Sequence, residues 1–441
     1  MKRVALVNPI RQRRGVAPVA LEYLMSGLRR RGIESEVLDL CYCRDSAGEV
    51  RRFFQSRPFD LVGVTFRNLD DVWFGQWFLP KLARVVKEIK QATAVPVVVG
   101  GSGYSIAPRR ILDESGADLG VVGEGEDALP FLAECAGDRS RYPEVPGLVW
   151  REGSEVRINP SGTLDLCSLR LADRSAIPHD RYTYAGGKKG GAGVQTKRGC
   201  DQNCIYCVVP NIEGRQIRLR PTSDIVEEIG NLCESGVRRF FICDSEFNVP
   251  QEHAASICSE IVSAGLGERI VWQAYVSPVP FSLELAQLMK RAGCETIFCT
   301  TDHGNDLMLE RLGKNFRVED IRRAVAVARS AGLSAIYSLM LGGPGETMAT
   351  VEEAVGMVMA LRPIKINLSD PPGIRIYPNT PIADIVRQEG FSRKNPNLQG
   401  RIEGNDDFFE PVFYLSRGLG VLGRAIRLWR ALGGLRTRVL A

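Results

Sequence analysis

The feature that most restricts the fold of this chain is the alternation of short apolar runs with helix-periodic segments along most of its length. A run of four to eight apolar residues bounded by Gly or Pro reads as a buried strand. Apolar residues spaced i, i+4, i+7 and i+11 read as one helix face. RVALVN (3–8) is such a run, and Ala17, Leu21, Leu24 and Leu28 then share a helix face. ESEVLDL, DLVGVTF (60–66) and VPVVVGG (95–101) follow as strands, with a helical segment at about 76–92 before the last. A short helix leads to ADLGVVGEGE (117–126), and another is expected at about 127–136. Strands alternating with helices predict a parallel, doubly wound, Rossmann-like sheet.

The pattern resumes after a polar, Gly-rich stretch. GLVWREGSEVRINP (147–160) predicts a small hairpin in that linker. Strand candidates then lie near 192–197, 239–243, 269–276, 295–300, 334–341 and 364–369. Helical patterns sit between them at about 222–235, 252–264, 281–292, 318–331 and 349–361. Six βα units in one run predict a partial (βα)6 barrel of the TIM type, with its active site at the C-terminal strand ends. The expected divisions are a doubly wound domain over 1–145, a linker over 146–190, a part-barrel over 191–370 and a C-terminal extension over 371–441.

Composition narrows the function classes. Of 441 residues, 57 are Lys or Arg and 52 are Asp or Glu, a net charge of +5. That balance gives no concentrated basic face of the kind nucleic acid requires. No stretch approaches the ~20 apolar residues of a membrane span, and the N-terminus lacks a signal-peptide pattern. A cytoplasmic location is therefore expected. The tail ends in a basic amphipathic segment, GVLGRAIRLWRALGGLRTRVL. It reads first as a docked terminal helix, with membrane-surface or partner binding as the alternative. Twelve cysteines suggest disulfides only in small secreted domains. Here three are clustered, which in a cytosolic enzyme points to metal binding or catalysis.

KRGCDQNCIYCVVP places Cys200, Cys204 and Cys207 at CxxxCxxC spacing directly after the first strand of the second half. Three thiolates on one tight loop hold three irons of a 4Fe–4S cluster and leave the fourth iron open. A zinc loop is the alternative, but zinc usually takes four ligands and no neighbouring His or Cys pair supplies the fourth.

This motif, Tyr206 before its last cysteine, and the six βα units resemble the radical S-adenosylmethionine (SAM) superfamily. The resemblance implies that the open iron chelates the amino and carboxylate groups of SAM. Reduction by an external one-electron donor of the flavodoxin or ferredoxin type then yields methionine and a 5′-deoxyadenosyl radical. By the same resemblance, CDSEFN (243–248) supplies Asp244, with Glu246 second, to the methionine amino group. Asp302 in CTTDHG lies near the ribose, and Tyr206 also lines the SAM site. Gly342, Gly343, Pro344 and Gly345 in LGGPGET form the loop that meets the adenine. Strand-end turns favour Gly and Asp for conformational reasons too, which is the competing account of each. His303 stands where relatives carry a small residue, and its role is open, a proton relay being one reading. Arg218 and Arg220 are candidates to pair the methionine carboxylate bidentately, with surface solvation as the alternative.

The N-terminal domain resembles the cobalamin-binding domain of one large subclass, through VPVVVGGSGYSIAP followed by ADLGVVGEGE. The implied contacts are Gly100, Gly101, Ser102, Gly103 and Tyr104, then Gly123, Glu124, Gly125 and Glu126. Glycines there remove Cβ atoms and let backbone approach a flat ring or nucleotide tail. Methionine synthase-like domains supply a lower-face histidine from DxHxxG, whereas residues 1–178 here contain no histidine. The loop TFRNLDD (65–71) would then lie under the corrin, with Thr65, Arg67 and Asn68 as contacts. Pairing of Arg67 with Asp70 or Asp71 is the competing account.

The resemblance thus implies a cobalamin-dependent radical SAM enzyme. The first reading is a C-methyltransferase that acts on an unactivated carbon of a small-molecule or natural-product substrate, through the 5′-deoxyadenosyl radical and methylcobalamin. The second is a cobalamin-dependent cyclase or rearrangement enzyme on a tetrapyrrole-like or lipid substrate. A methylthiotransferase-like RNA modifier would need three further N-terminal cysteines, and Cys41, Cys43, Cys135 and Cys167 lack that spacing. Arg375, Tyr377, Phe413 and Tyr414 are substrate-contact candidates, in segments resembling those that close the barrel mouth in relatives. Core packing competes for each aromatic. Replacing Cys200, Cys204 or Cys207 by Ala is expected to abolish reductive cleavage of SAM by the anaerobically reconstituted protein. Single replacement of Cys41, Cys43, Cys135 or Cys167 should leave it intact. Full cleavage in any of the first three variants contradicts the assignment.

Overall fold

A computed structural model describes residues 2–9, 15–71, 76–135, 137–169, 174–182, 191–362, 364–368 and 373–420. The basic amphipathic segment, from residue 421 onward, lies outside them. The chain begins β1 (Arg3–Asn8), α1 (Val19–Arg30), β2 (Glu34–Asp39), α2 (Ser46–Ser56), β3 (Leu61–Thr65), α3 (Leu79–Ala92) and β4 (Val97–Gly100). It continues α4 (Ser102–Ile106), α5 (Pro108–Ser115), β5 (Leu119–Val121), α6 (Ala128–Glu134), β6 (Leu148–Glu152) and β7 (Glu155–Ile158).

These strands form one sheet in the order β2-β1-β3-β4-β5-β6-β7, with β1 to β5 parallel. The chain leaves β1 for β2 on one side and resumes at β3 on the other. In doubly wound sheets such a switch point opens the crevice that receives a ligand, at the C-terminal strand ends. Helix α2 escapes the apolar pattern because only Gly48, Val50 and Phe54 are buried, and its start is set by Asp45, which accepts from the Gly48 N–H. The hairpin expected in the linker is part of the sheet: β6 pairs antiparallel with β5, and β7 with β6. Leu148, Val149 and Trp150 are consecutive and all buried, which an isolated hairpin does not achieve.

The second half runs β8 (Ala192–Val194), β9 (Lys197–Arg198), α7 (Val209–Glu213), β10 (Arg218–Leu219), α8 (Thr222–Glu234), β11 (Arg239–Ile242), α9 (Gln251–Ser263) and β12 (Val271–Val276). Next come α10 (Leu283–Arg291), β13 (Cys294–Asp302), α11 (Asp306–Arg311), α12 (Val318–Ser330), β14 (Ser334–Leu339), α13 (Met348–Ala360) and β15 (Lys365–Leu368). The main sheet has the order β15-β14-β13-β12-β11-β8, so spatial and sequence order coincide. That is the winding of a (βα) barrel stopped at six strands, with β8 and β15 left as edges. An extension adds β16 (Ile374–Arg375), α14 (Pro381–Glu389), β17 (Leu398–Gly400) and β18 (Val412–Tyr414), whose strands form an antiparallel sheet β16-β18-β17.

The chain divides into two compact units. One comprises Met1–Leu69, Trp77–Val194 and Arg218–Phe241, the other Asp70–Gln76, Gln195–Ile217 and Ile242–Ala441. In the first, a buried ion network joins α1, residues 174–179 and α8. Arg174 pairs with both Glu22 and Glu228, Arg220 pairs with Glu228 at 2.8 Å, and His179 meets Glu22 at 3.0 Å. Breaking such a network from one side leaves uncompensated buried charge, at a cost of about 3–5 kcal/mol. In the second, Leu309, Ile321, Val325, Tyr337 and Leu339 form a core between the strands and their helices. A further core joins Ile205 and Leu312 to Ile374, Ile382, Val386 and Tyr414 of the extension. Among the described residues, no helix is long and apolar enough to cross a membrane.

Candidate active site

The cysteine loop is held from both sides. Before it, Gly199 adopts φ +91°, and a Cβ there would stand 2.1 Å from the Gln216 carbonyl oxygen. Inside it, the Cys207 N–H donates to the Cys204 carbonyl at 3.2 Å. The Ile205 N–H donates to the Leu312 carbonyl, and the Ile205 carbonyl accepts from the Ile382 N–H at the start of α14. Gly313, at φ +76°, comes so close that a Cβ would lie 2.1 Å from the Asn203 carbonyl oxygen. Cys200 is buried, and Cys204 and Cys207 are half-buried. Burial pushes the Cys207 thiol up to about 11 and raises that of Cys200 as well. Their thiolate forms therefore need a metal or a cation. Among the described residues, no three His, Cys, Asp or Glu side chains converge as a single-ion site. Thiols that each take a different iron of a cluster need no such convergence.

Lys314 supplies a cation. Its Nζ donates to Cys204 Sγ at 3.4 Å and pairs with Asp302 Oδ2 at 2.5 Å. It also lies 5.7 Å from the Tyr206 ring centroid and 5.6 Å from that of Phe316, within cation–π range. Burial works against its charge, yet Asp302 and Cys204 outweigh that penalty and its pKa is raised. Sequence reasoning missed this residue: it lies 110 positions after Cys204, in a turn without a distinctive pattern. Asp302 ends β13 at φ +61° and also accepts from the Tyr206 hydroxyl and from Ser338 Oγ at 2.9 Å. Tyr206, Asp302, Lys314 and Cys204 thus form one bonded group.

The two acidic candidates after β11 part company. Asp244 is buried with both oxygens engaged by Thr196, one by its N–H at 2.8 Å and one by its hydroxyl. Glu246 accepts from the Thr300 hydroxyl at 2.7 Å through Oε1, while its buried Oε2 has no hydrogen-bond partner. Burial raises the Glu246 carboxyl to about 7, although Lys314 pulls it down. Glu246, rather than Asp244, offers an acceptor to a ligand. Beyond β14, Gly342 and Gly345 hold φ of +104° and +76°. A Cβ on Gly342 would come within 2.9 Å of the Gly373 Cα.

In the first unit the loops after β3 and β4 touch through glycine. A Cβ on Gly103 would lie 2.8 Å from the Phe66 carbonyl oxygen and 2.9 Å from the Asn68 carbonyl carbon. Gly101, at φ +106°, is likewise pressed on Phe66 and Thr65. Thr65, Asn68 and Gly100 to Gly103 therefore share one edge, with Ser102 exposed. Arg67 Nη1 donates to the Val16 carbonyl at 2.9 Å, reaching from the end of β3 to the loop after β1. These glycines let the loops after β3 and β4 pack backbone to backbone at the C-terminal edge of the sheet, beside the β1/β3 switch point. Three expected contacts are placed elsewhere. Tyr104 is wholly buried and faces Gly120, where a Cβ would stand 1.8 Å from its hydroxyl oxygen. Glu124 is bound bidentately by Arg218, both distances 2.9 Å, and accepts from the Leu164 N–H. Glu126 is buried, with its carbonyl oxygen 2.3 Å from where a Gly27 Cβ would sit on α1. Gly123 donates to Ser105 Oγ, and Gly125 abuts Leu24.

Other candidates are also engaged. Arg218 is taken by Glu124, and Arg220 by Glu228 and the Tyr23 hydroxyl, so neither is presented to a methionine carboxylate. Asp70 pairs with Arg375 Nε at 2.8 Å and accepts from the Tyr377 hydroxyl at 2.8 Å. The remaining Arg375 nitrogens donate to the carbonyls of Ile376, Phe408 and Phe409. Phe413 and Tyr414 are buried in β18, and the Tyr414 hydroxyl donates to Glu389 at 2.8 Å. Arg375 and Tyr377 thus fasten the extension to Asp70, and Phe413 and Tyr414 pack within it, the core-packing account of these aromatics.

Residues 194–358 match the family model of the radical SAM superfamily, and residues 15–133 match that of the B12 binding domain. The fold matches the radical SAM methyltransferase TsrM from Kitasatospora setae, solved with cobalamin and a [4Fe–4S] cluster bound. The TM-score is 0.83 at 28% identity, covering 97% of this chain and 91% of that one. The chain thus pairs a B12-binding domain with a radical SAM domain, the two domains of cobalamin-dependent radical SAM enzymes. The cofactors of this enzyme are a 4Fe–4S cluster, SAM and cobalamin, and the three-thiol loop suits the first of them. The enzyme is also 28% identical to tryptophan 2-C-methyltransferase of Streptomyces laurentii over 88% of its own length and 74% of that protein. Against the anaerobic magnesium-protoporphyrin IX monomethyl ester cyclase of Cereibacter sphaeroides the identity is 26%, over 66% of this chain and 48% of that protein.

The elevated Glu246 carboxyl has a consequence for the cofactor-free protein. A carboxyl raised on folding from about 4.5 to about 7 contributes stability below pH 4.5 that is lost as pH rises through 7. Glu246→Gln should therefore stabilise the apoprotein at pH 8 by about 2–3 kcal/mol, a gain that shrinks toward pH 5. Thermal melts at the two pH values check this, and an equal effect at both contradicts the assignment.

Proposed function

We propose that this enzyme is a C-methyltransferase acting on an unactivated carbon of a small molecule. The observation that carries the reading is the extent of the likeness to tryptophan 2-C-methyltransferase, which spans both domains and the three-thiol loop. When bound, the cluster supplies an electron to SAM, and cobalamin carries the methyl group. The chain's own residues bind and orient. Glu246 Oε2 accepts from the methionine ammonium, and Lys314, already a donor at the cysteine loop, meets the carboxylate. Asp302 keeps Lys314 charged and in place. The Gly342–Gly345 backbone receives the adenine without intervening side chains. In the other unit, Thr65, Asn68 and Gly100 to Gly103 face the corrin. Arg67 offers no lone pair and stays protonated, so it cannot act as a cobalt ligand.

The electron comes from an external flavodoxin- or ferredoxin-type donor in the cytoplasm, where such donors and thiols stay reduced. Cyclisation or rearrangement is the second reading, supported by the lower-identity matches to cyclases. Incubation with methyl-deuterated SAM and a substrate panel that includes tryptophan and other indoles separates the two. A C-methylated product three mass units heavier than its unlabelled counterpart is expected; a transformed product without label contradicts methyl transfer.

A further inference from the structure

His303 has no part in the roles assigned above, yet it is wholly buried beside them. Its Nδ1 accepts from the Asn305 N–H at 3.1 Å, so its proton must sit on Nε2. Nε2–H then donates to Glu346 Oε1 at 2.9 Å. Glu346 is equally buried, and its other oxygen accepts from the backbone N–H groups of Gly342 and Gly343, the latter at 2.9 Å. One carboxylate therefore gathers three N–H donors, two of them from the glycine loop. The left-handed turn at Asp302, closed by the His303 N–H on the Thr301 carbonyl at 2.8 Å, sends the imidazole toward Glu346. The Asp302 carboxylate meanwhile points to Lys314.

We propose that His303 is a positioning residue for the nucleoside half of SAM, acting through Glu346 to fix the backbone shape of Gly342–Gly345. A carboxylate aimed by one N–H and bound to two more holds the loop in a single conformation before ligand arrives. The binding free energy is then not drawn on to order it. The inference rests on the reading that this loop receives the adenine.

The test compares two variants of similar size in the full, cluster-loaded protein. His303→Gln keeps an N–H within reach of Glu346, whereas His303→Asn is too short. Equilibrium binding of 5′-deoxyadenosine, of methionine and of SAM gives the readout, with melting temperature followed in parallel. His303→Asn should weaken 5′-deoxyadenosine and SAM at least about tenfold, the loss of roughly one charge-assisted hydrogen bond, and leave methionine unchanged. His303→Gln should stay within about threefold of the parent. Equal affinities in the two variants, or equal losses for methionine and 5′-deoxyadenosine, overturn the inference. Gly343→Val separates this from failure of the underlying reading. If Gly343→Val weakens 5′-deoxyadenosine while His303→Asn does not, His303 alone is wrongly assigned. If neither weakens it, the loop does not meet the adenine and both fall.

Discussion

At the end of β13 the chain turns through a left-handed residue, Asp302, and the arrangement of the barrel end depends on that turn and on the ion pair it makes with Lys314. An L-residue in this conformation costs about 1 kcal/mol, which the contacts of the carboxylate offset. Lys314, the Tyr206 hydroxyl and Ser338 Oγ all converge on it. Without it, an ammonium ion would be buried beside Cys204 without its ion-pair partner, a defect of up to about 3–5 kcal/mol. The same turn orients His303 toward Glu346, which gathers the glycine loop. The cysteine loop, the β13 edge and the loop after β14 are therefore set by one backbone conformation.

Four acidic groups at the strand ends illustrate how partners, rather than residue type, decide a role. Asp244 is saturated by Thr196 and fastens two loop segments. Asp302 is an anchor for a cation. Glu346 is saturated by N–H donors and shapes backbone. Glu246 alone of the four keeps a buried oxygen without a hydrogen-bond partner, and burial makes its charge costly until a cation arrives. The same logic places Glu124 and Arg375, charged residues in suggestive positions whose bonding capacity is met inside the protein.

Much of the fold was legible because burial imposes strand and helix periods on the sequence: all six barrel strands and the five longer helices between them fall where the apolar runs predict, while the short α7 and α11 do not show in the pattern. The cysteine loop was legible because its ligands are contiguous. What escaped was contact between distant segments. Lys314 meets Cys204 only through the fold, the α2 helix carries a weak pattern, and the expected hairpin joins the first sheet through a pairing with β5 that its own residues do not announce. Candidate contacts failed where one residue type serves two ends. Arg218 and Arg375 suit an anionic ligand but equally a buried carboxylate, and Tyr104 and Tyr414 suit a ring but equally a core. Asp244 and Glu246 stand on one turn, and only their hydrogen-bond partners tell them apart.

The account rests on one chain holding a cluster with an open iron together with a cobalamin that receives no nitrogen from the N-terminal domain, where residues 1–178 contain no histidine. Electron paramagnetic resonance of the reconstituted, reduced protein addresses both at once. The account predicts a reduced 4Fe–4S signal together with a protein-bound Co(II) signal that lacks nitrogen superhyperfine splitting. Three-line splitting from an axial nitrogen, or cobalamin that remains entirely free in solution, would contradict it.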